Sequence, residues 1–313
     1  MLKGKRVKFI VNPEAGRGKS RKVDSILHSL LKPRGIDYEL EKTTGELQAI
    51  RMAKESAGKF DAVVAVGGDG TSNEVANGLI GSNTAMGVIP TGSGNDFAVM
   101  LGMKDNIEHC VDQIFEGRTE RIDTGAVRLE DGARQVTTRK FVNSIGIGFD
   151  AVVAYESRQI KNLKGVPLYF VSVLRSLRKL KPHLFEMQTN GRSETQEYYL
   201  VCVGNGNREG GGFYVTPKAN PSDGMFEVCT VRQVGLLRAL RILPTILSGS
   251  HGRFKEVDFF NADKLSVGSK RPFVVHCDGE ILGVNNSKAE VELHPGSLEV
   301  IVGRNGLAVP SLL

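Results

Sequence analysis

The chain has no tryptophan, and aromatic residues make up only 6% of it. That disfavours a base-stacking platform for single-stranded nucleic acid. No span approaches the ~18 apolar residues that a transmembrane helix needs. The opening stretch MLKGKRVKFIVNP is basic, but its apolar run is too short for a signal-peptide core. Cysteine is scarce: Cys110, Cys202, Cys229 and Cys277, with no two at CxxC spacing. This argues against a disulfide framework and for buried free thiols in a reducing, cytoplasmic setting. The six histidines include no pair at metal-ligand spacing on a shared face.

What is present fits a folded protein of ordinary composition, 40% hydrophobic and 24% charged. At 313 residues the chain is long for one domain, so two are expected. The formal net charge is +6. An excess of that sign suits nucleic acid, an anionic membrane surface or a phosphorylated small molecule.

The first third alternates strand and helix. VKFIVNP, IDYELEKT, DAVVAV and AMGVIP read as strands, and helical spacing of apolar residues separates them. Such alternation implies an α/β domain over residues 1–123, a mostly parallel sheet with helices on both faces. After about Asp123 strand-like runs follow one another: RIDTGAVRL, KFVNSIGIGF, HLFEMQT, EYYLVCVG, MFEVCTVR, FKEVDFF, KLSVG, PFVVHCD, AEVELH and LEVIVG. Helices are expected near 151–159, 166–181 and 236–249. Residues 124–313 are therefore expected to form a mostly antiparallel, β-sandwich-like domain, with the last strand or strands returning to the first domain.

Three turns in the first domain share a design: an apolar strand, a glycine-rich turn, then a helix. That is where phosphate binds in open parallel sheets, against backbone N–H groups at a helix N-terminus. The first is VNPEAGRGKS, in which Asn12 can hydrogen-bond a ligand. The second is GGDGTSNEVANGL. Its Thr71 and Glu74 have capping-box spacing, which predicts a helix starting at Thr71. Asp69, a lone acid among Gly67, Gly68 and Gly70, points to a metal- or phosphate-linked role over a plain turn. The third is PTGSGNDFA, where Asn95 or Asp96 can cap the next helix.

These turns, in this order, resemble the diacylglycerol kinase catalytic domain family, which includes bacterial soluble lipid kinases and the sphingosine and ceramide kinases. GGDGTSNEVANGL and PTGSGNDFA are similar to its signatures. VGNGNREGGGFYVTPKANPSDGMFEV (203–228) and CDGE (277–280) resemble its later motifs, so the likeness runs through nearly the whole chain. GGDG alone is less specific, being shared with dinucleotide kinases and phosphofructokinases, whose α/β fold the resemblance also implies.

The resemblance implies an ATP- and magnesium-dependent lipid kinase. Nucleotide contacts would come from Asn12, Pro13, Glu14, Ala15 and Gly16, from Thr43, from Gly67, Gly68, Asp69, Gly70, Thr71, Ser72 and Asn73, and from Ser93, where many members have Thr. Glu280 would accept the hydroxyl proton, with Asp278 as its competitor. Asn220, Asp223 and Met225 would hold a structural magnesium ion. Phosphoryl transfer needs placement, charge neutralisation and proton removal. The turns would supply the first, magnesium near Asp69 the second and an acid from the second domain the third, a division that suits a cleft between domains. Taken without the resemblance, Asp278–Gly279 is a hairpin turn.

The segment from Arg158 to His183 is basic and amphipathic. It would either dock on anionic headgroups or cover the second domain. The lipid would be met at a membrane surface, and no nucleic-acid partner is expected. A kinase for a soluble hydroxyl compound and a nucleotide-binding regulator without turnover are the competing readings.

Overall fold

The strands that read as apolar throughout are the central ones. In the computed structural model β1 (Arg6–Val11) pairs in parallel with β2 (Asp37–Lys42) and β3 (Ala62–Gly67), and β3 pairs in parallel with β4 (Ala85–Pro90). Every residue of β3 and β4 is buried, as expected for strands covered on both faces. The structure describes residues 5–18, 20, 23–103, 106–160, 163, 167–168, 171–172, 175–176, 182–189, 191–304 and 306–307.

The chain divides into two compact units. One comprises Met1–Asp123 and Pro295–Ala308, and the other is built on Thr124–His294. In the first, short helices follow the strands: α1 (Ala15–Gly18), α2 (Val23–Leu31), α3 (Gln48–Ser56), α4 (Asp69–Leu79), α5 (Asp96–Met100) and α6 (Ile107–Glu116). Val23, Leu27 and Leu31 form the buried stripe of α2 at four-residue spacing. Gly78 of α4 lies so close to α3 that a Cβ there would stand 2.6 Å from the Ala53 Cβ. Lys8 is buried in β1. Burial alone would lower its pKa, but hydrogen bonds to Glu41 and Glu39 of the edge strand outweigh it and hold the ammonium charged.

The second unit is antiparallel. Its strands are β5 (Arg118–Asp131, which begins in the first unit), β6 (Val136–Phe141), β7 (Ser144–Gly148), β8 (His183–Thr189), β9 (Arg192–Gly204), β10 (Phe226–Arg232), β11 (Val257–Ala262), β12 (Lys264–Cys277) and β13 (Glu280–Val302, which ends in the first unit). β9 lies between β7 and β10, β10 pairs with β11, and β12 pairs with β13. Among the described residues the helices α7 (Phe149–Arg158) and α8 (Leu236–Ile246) join them.

The all-apolar run of β9 has a simple cause. Val201 and Val203 face a core that includes Phe141, Phe226 and Phe273, while Leu200 and Cys202 face a second cluster with Phe213, Cys229 and Ile242 of α8. Both faces of the strand are covered, so the period-two alternation disappears. All four cysteines are free and buried.

Three expectations about elements need correction. KLSVG and PFVVHCD are one strand, β12, whose register shifts between Gly268 and Phe273, around Pro272, which has no N–H for the ladder. AEVELH and LEVIVG likewise belong to one strand, β13. KFVNSIGIGF is two strands, broken at Val142 and Asn143 for a reason given below. Most of the basic segment near 166–181, including Arg178 and Lys179, lies outside the described residues.

Candidate functional site

The three glycine-rich turns of the first unit are tied to one another. Asn12 Nδ2 donates to Thr71 Oγ1 at 3.1 Å, and Asn12 Oδ1 accepts the Glu14 N–H at 3.0 Å, so the first turn is latched onto the second. The Thr91 N–H donates to the Gly67 carbonyl, joining the third turn to the second. Thr43 reaches the same end of the sheet, its N–H bonded to the Val11 carbonyl at 2.9 Å. Thr43, Thr71, Ser72 and Asn73 are buried, whereas Ser93 and Glu14 are exposed.

Two glycines of these turns, Gly67 and Gly92, are required by packing. A Cβ on Gly92 would stand 2.5 Å from the Gly68 Cα, and one on Gly67 would stand 2.4 Å from the Thr71 Cβ. Real Cβ contacts do not reach such distances, so a side chain at Gly92 would push the second and third turns apart, and one at Gly67 would displace Thr71.

The helix after the second turn begins at Asp69, two residues before Thr71, and Gly68 is its N-cap. The expected capping box is absent: Glu74 instead accepts the Ala49 N–H of α3 at 3.1 Å. Asp69 is a clamp between turns. Its Oδ2 accepts the Asn95 N–H at 2.7 Å and its Oδ1 the Phe97 N–H at 3.2 Å. Asn95 does not cap α5 through its side chain, whose Oδ1 accepts the Gly92 N–H at 3.0 Å. Asp96 is the first residue of that helix.

In the second unit Asp278 and Gly279 form the two-residue turn between β12 and β13. Both have positive φ, 46° and 80°, the geometry in which Asp-Gly is favoured. Asp278 Oδ2 accepts the Val142 N–H at 3.0 Å. Its Oδ1 accepts those of Asn143 at 2.9 Å and Ser144 at 2.8 Å. This carboxylate is what breaks the run KFVNSIGIGF, because it takes the amides that a continuous strand would offer to a ladder.

Glu280 differs. Its Oε2 meets Arg139 Nη2 at 3.1 Å; among the described residues Oε1 has no hydrogen-bond partner, and the side chain is half-buried. Around the turn, Asn205 Nδ2 donates to the Val142 carbonyl at 2.8 Å, and Ser144 Oγ donates to Glu209 Oε2 at 2.7 Å. The beginning of the VGNGNREGGGFY stretch thus lines the same corner. Cys277 beside it is buried, and burial first, then the Asp278 charge, pushes its thiol well above the usual range, so it is passive. Arg139, Asn143, Asn205 and Glu209 were not anticipated. Only the NGN tripeptide gave a signal, as part of a motif.

Asn220, Asp223 and Met225 lie in one turn. Asn220 Oδ1 accepts the Ser222 N–H at 3.2 Å, and Asp223 Oδ1 accepts the Met225 N–H at 3.0 Å. One carboxylate with neighbouring carbonyls is a donor set of hard oxygens, which fits magnesium. Among the described residues no group of three or more His, Cys, Asp or Glu side chains stands ready for a metal, so any site here would rely on backbone oxygens.

A glycine-rich nucleotide-type turn cluster on parallel strands, joined to a β unit with an acid at a tight turn, defines a two-domain kinase class. The family comparisons agree. The diacylglycerol kinase catalytic domain matches residues 6–127, and the YegS C-terminal NAD kinase beta sandwich-like domain matches residues 143–302. The chain belongs to the diacylglycerol kinase catalytic domain family. It is 29% identical to a diacylglycerol kinase of Mycobacterium tuberculosis over 96% of both chains. It is 30% identical to one of Bacillus subtilis over 90% of this chain and 91% of the other. Its fold is similar to the crystal structure of a diacylglycerol kinase from Bacillus anthracis, with a TM-score of 0.73 at 22% identity over 96% and 98% of the two chains.

Proposed function

We propose that the chain is an ATP- and magnesium-dependent lipid kinase, transferring the γ-phosphate to a hydroxyl of a diacylglycerol-like lipid, and that Glu280 is the proton acceptor. What carries this reading is the contrast between two acids separated by one glycine. Asp278 has both oxygens engaged by backbone amides. Glu280 keeps Oε1 open while Arg139 fixes its other oxygen. A general base needs an available lone pair and a defined position; Glu280 offers an oxygen with no partner among the described residues and a second one held by Arg139, whereas three backbone amides already draw on the Asp278 carboxylate.

In this reading the nucleotide phosphates lie against the turns at Asn12–Gly16, Gly67–Asn73 and Ser93, with Thr43 beside them. Asp69 acts by holding the second and third turns in register. Arg139 positions Glu280 and balances its charge until the hydroxyl proton arrives. Asn220, Asp223 and Met225 would hold the structural magnesium ion, which would brace the 219–226 turn.

The test is transfer of radiolabelled γ-phosphate from ATP to organic-extractable product, with diacylglycerols and sphingoid bases offered in detergent micelles. Turnover that rises with a lipid and is lost in Glu280→Ala supports the proposal. Transfer to a soluble dinucleotide or sugar, or nucleotide binding with no transfer to any acceptor, would overturn it. A Glu280→Ala enzyme with unchanged turnover would remove Glu280 from the role of base.

A further inference from the structure

Helix α8 has two apolar faces, and one of them is bare. Ala239, Ile242 and Ile246 pack on the sheet, and Leu243 meets Val153 of α7. On the opposite side Leu237 is 76% exposed, Leu240 38%, and Leu247, just past the last turn, 38%. With 3.6 residues per turn these three and Pro244 fall on one side of the helix, and the exposed Arg241 borders them. Single exposed leucines need no explanation, but a stripe of them does.

Along this segment the charge is mostly of one sign. From Leu236 to Glu256 the cations are Arg238, Arg241, Arg253 and Lys255, and the only acid is Glu256. Arg238 claims that acid at 3.0 Å. Arg238 and Arg253 both lie over the ring of Phe254, at 4.8 and 5.2 Å, which brings the Arg253 cation beside the helix. A second copy of the chain docking through this face would set the same basic rim against itself, and like charges so placed are unfavourable. A surface of lipid phosphates has the complementary charge and an apolar layer beneath it.

We propose that α8 docks this chain on an anionic bilayer, with Leu237, Leu240 and Leu247 entering the headgroup boundary and Arg241, Arg253 and Lys255 meeting lipid phosphates. Its biological sense rests on the lipid-kinase reading, but its test does not. The full chain is sedimented with vesicles of phosphatidylcholine plus phosphatidylglycerol, and with phosphatidylcholine alone. Binding is expected to the anionic vesicles. Leu237→Asp with Leu240→Asp should lower the partition coefficient about tenfold or more, and Arg241→Glu should lower it on anionic vesicles in a salt-dependent way. Leu237→Asp alone should leave thermal unfolding unchanged, since that side chain is 76% exposed, and turnover of a short-chain lipid in micelles should stay unchanged in both variants.

Equal partition of the double variant and the parent would overturn the proposal, as would absence of parent binding to anionic vesicles. So would a dimer in light scattering that Leu237→Asp converts to monomer, which would give the face to a second copy. Vesicle binding through α8 without transfer to any lipid would leave the docking surface standing and remove the kinase reading. Micellar turnover without vesicle binding would do the reverse.

Discussion

The two units secure their turns with the same device at very different range. In the first, Asp69 gathers amides 26 and 28 residues away, at Asn95 and Phe97. In the second, Asp278 gathers three amides 134 to 136 residues away. Both acids are the conspicuous ones in their motifs, and both hold backbone. The acid with an open oxygen is Glu280, one glycine further on. A carboxylate in a glycine-rich motif can therefore serve for the backbone it organises, and under the proposed function it is the neighbouring Glu280 that takes the proton.

The largest expected effect separates Glu280 from Asp278. Glu280→Gln keeps the shape and removes the basicity, so kcat should fall by about 10²–10⁴. Nucleotide affinity and melting temperature should hold, because the carboxylate is half-exposed and one polar contact to Arg139 remains possible. A large loss of stability with little loss of kcat would put Glu280 among the clamps and collapse the comparison.

The next effect separates the units by pH. His251 of the second unit is 1% exposed, and burial pushes its pKa down to about 4, only partly offset by the Val215 carbonyl at 3.0 Å. The unfolded chain has the ordinary value near 6.5, so it binds more protons between the two values. The stability that His251 confers is thus full above about pH 6.5 and is lost as pH falls toward 4, by about 3 kcal/mol. His183, also held near 4, first by burial and then by Arg271, adds a smaller share because it is partly exposed. Hydrogen exchange at pH 5 against pH 7 should show peptides of the second unit opening first, and His251→Gln should flatten the dependence. Equal acid sensitivity in both units would contradict this.

Much of this was legible in the sequence, for reasons that can be named. β3 and β4 announce themselves because a doubly covered strand is apolar without interruption. The nucleotide-type turns announce themselves because glycines cluster where backbones meet, as Gly68 and Gly92 do. The Asp278 clamp was hidden because nothing local marks it. Its partners, Val142 to Ser144, read as ordinary strand until the carboxylate that displaces their ladder is seen. The capping box failed for the opposite reason. Thr71 and Glu74 have the right spacing, but α3 supplies Glu74 with a better partner, the Ala49 amide. Local propensity was overruled by a tertiary contact.

Asp278→Asn tests the long-range clamp with little disturbance of the turn, since Asn-Gly also favours positive φ at both positions. The amide keeps one acceptor oxygen and turns a donor toward backbone donors. A loss of about 2–3 kcal/mol is expected in denaturant unfolding, from charge-assisted bonds lost and an amide left unpaired. At saturating substrate, kcat should fall far less than in Glu280→Gln. If kcat falls as far, the base assignment moves to Asp278.

Asp69→Asn should cost less stability than Asp278→Asn, and it is the most discriminating test of the first unit. The acid's bonds to the third turn are a short one, 2.7 Å to the Asn95 amide, and a longer one, 3.2 Å to the Phe97 amide. It also sits in the first turn of α4, where a negative charge is favoured by the helix dipole. Losing the charge while keeping one oxygen should cost about 1–2 kcal/mol. The third turn would then be held less firmly against the second, so nucleotide affinity should weaken severalfold while kcat at saturating ATP stays near the parent value. If Asp69 instead serves the transferring phosphate directly, the pattern inverts: stability stays put and kcat at saturation falls by about a hundredfold or more. The ratio of those two responses, set beside that of Asp278→Asn, decides whether the two units use their aspartates alike.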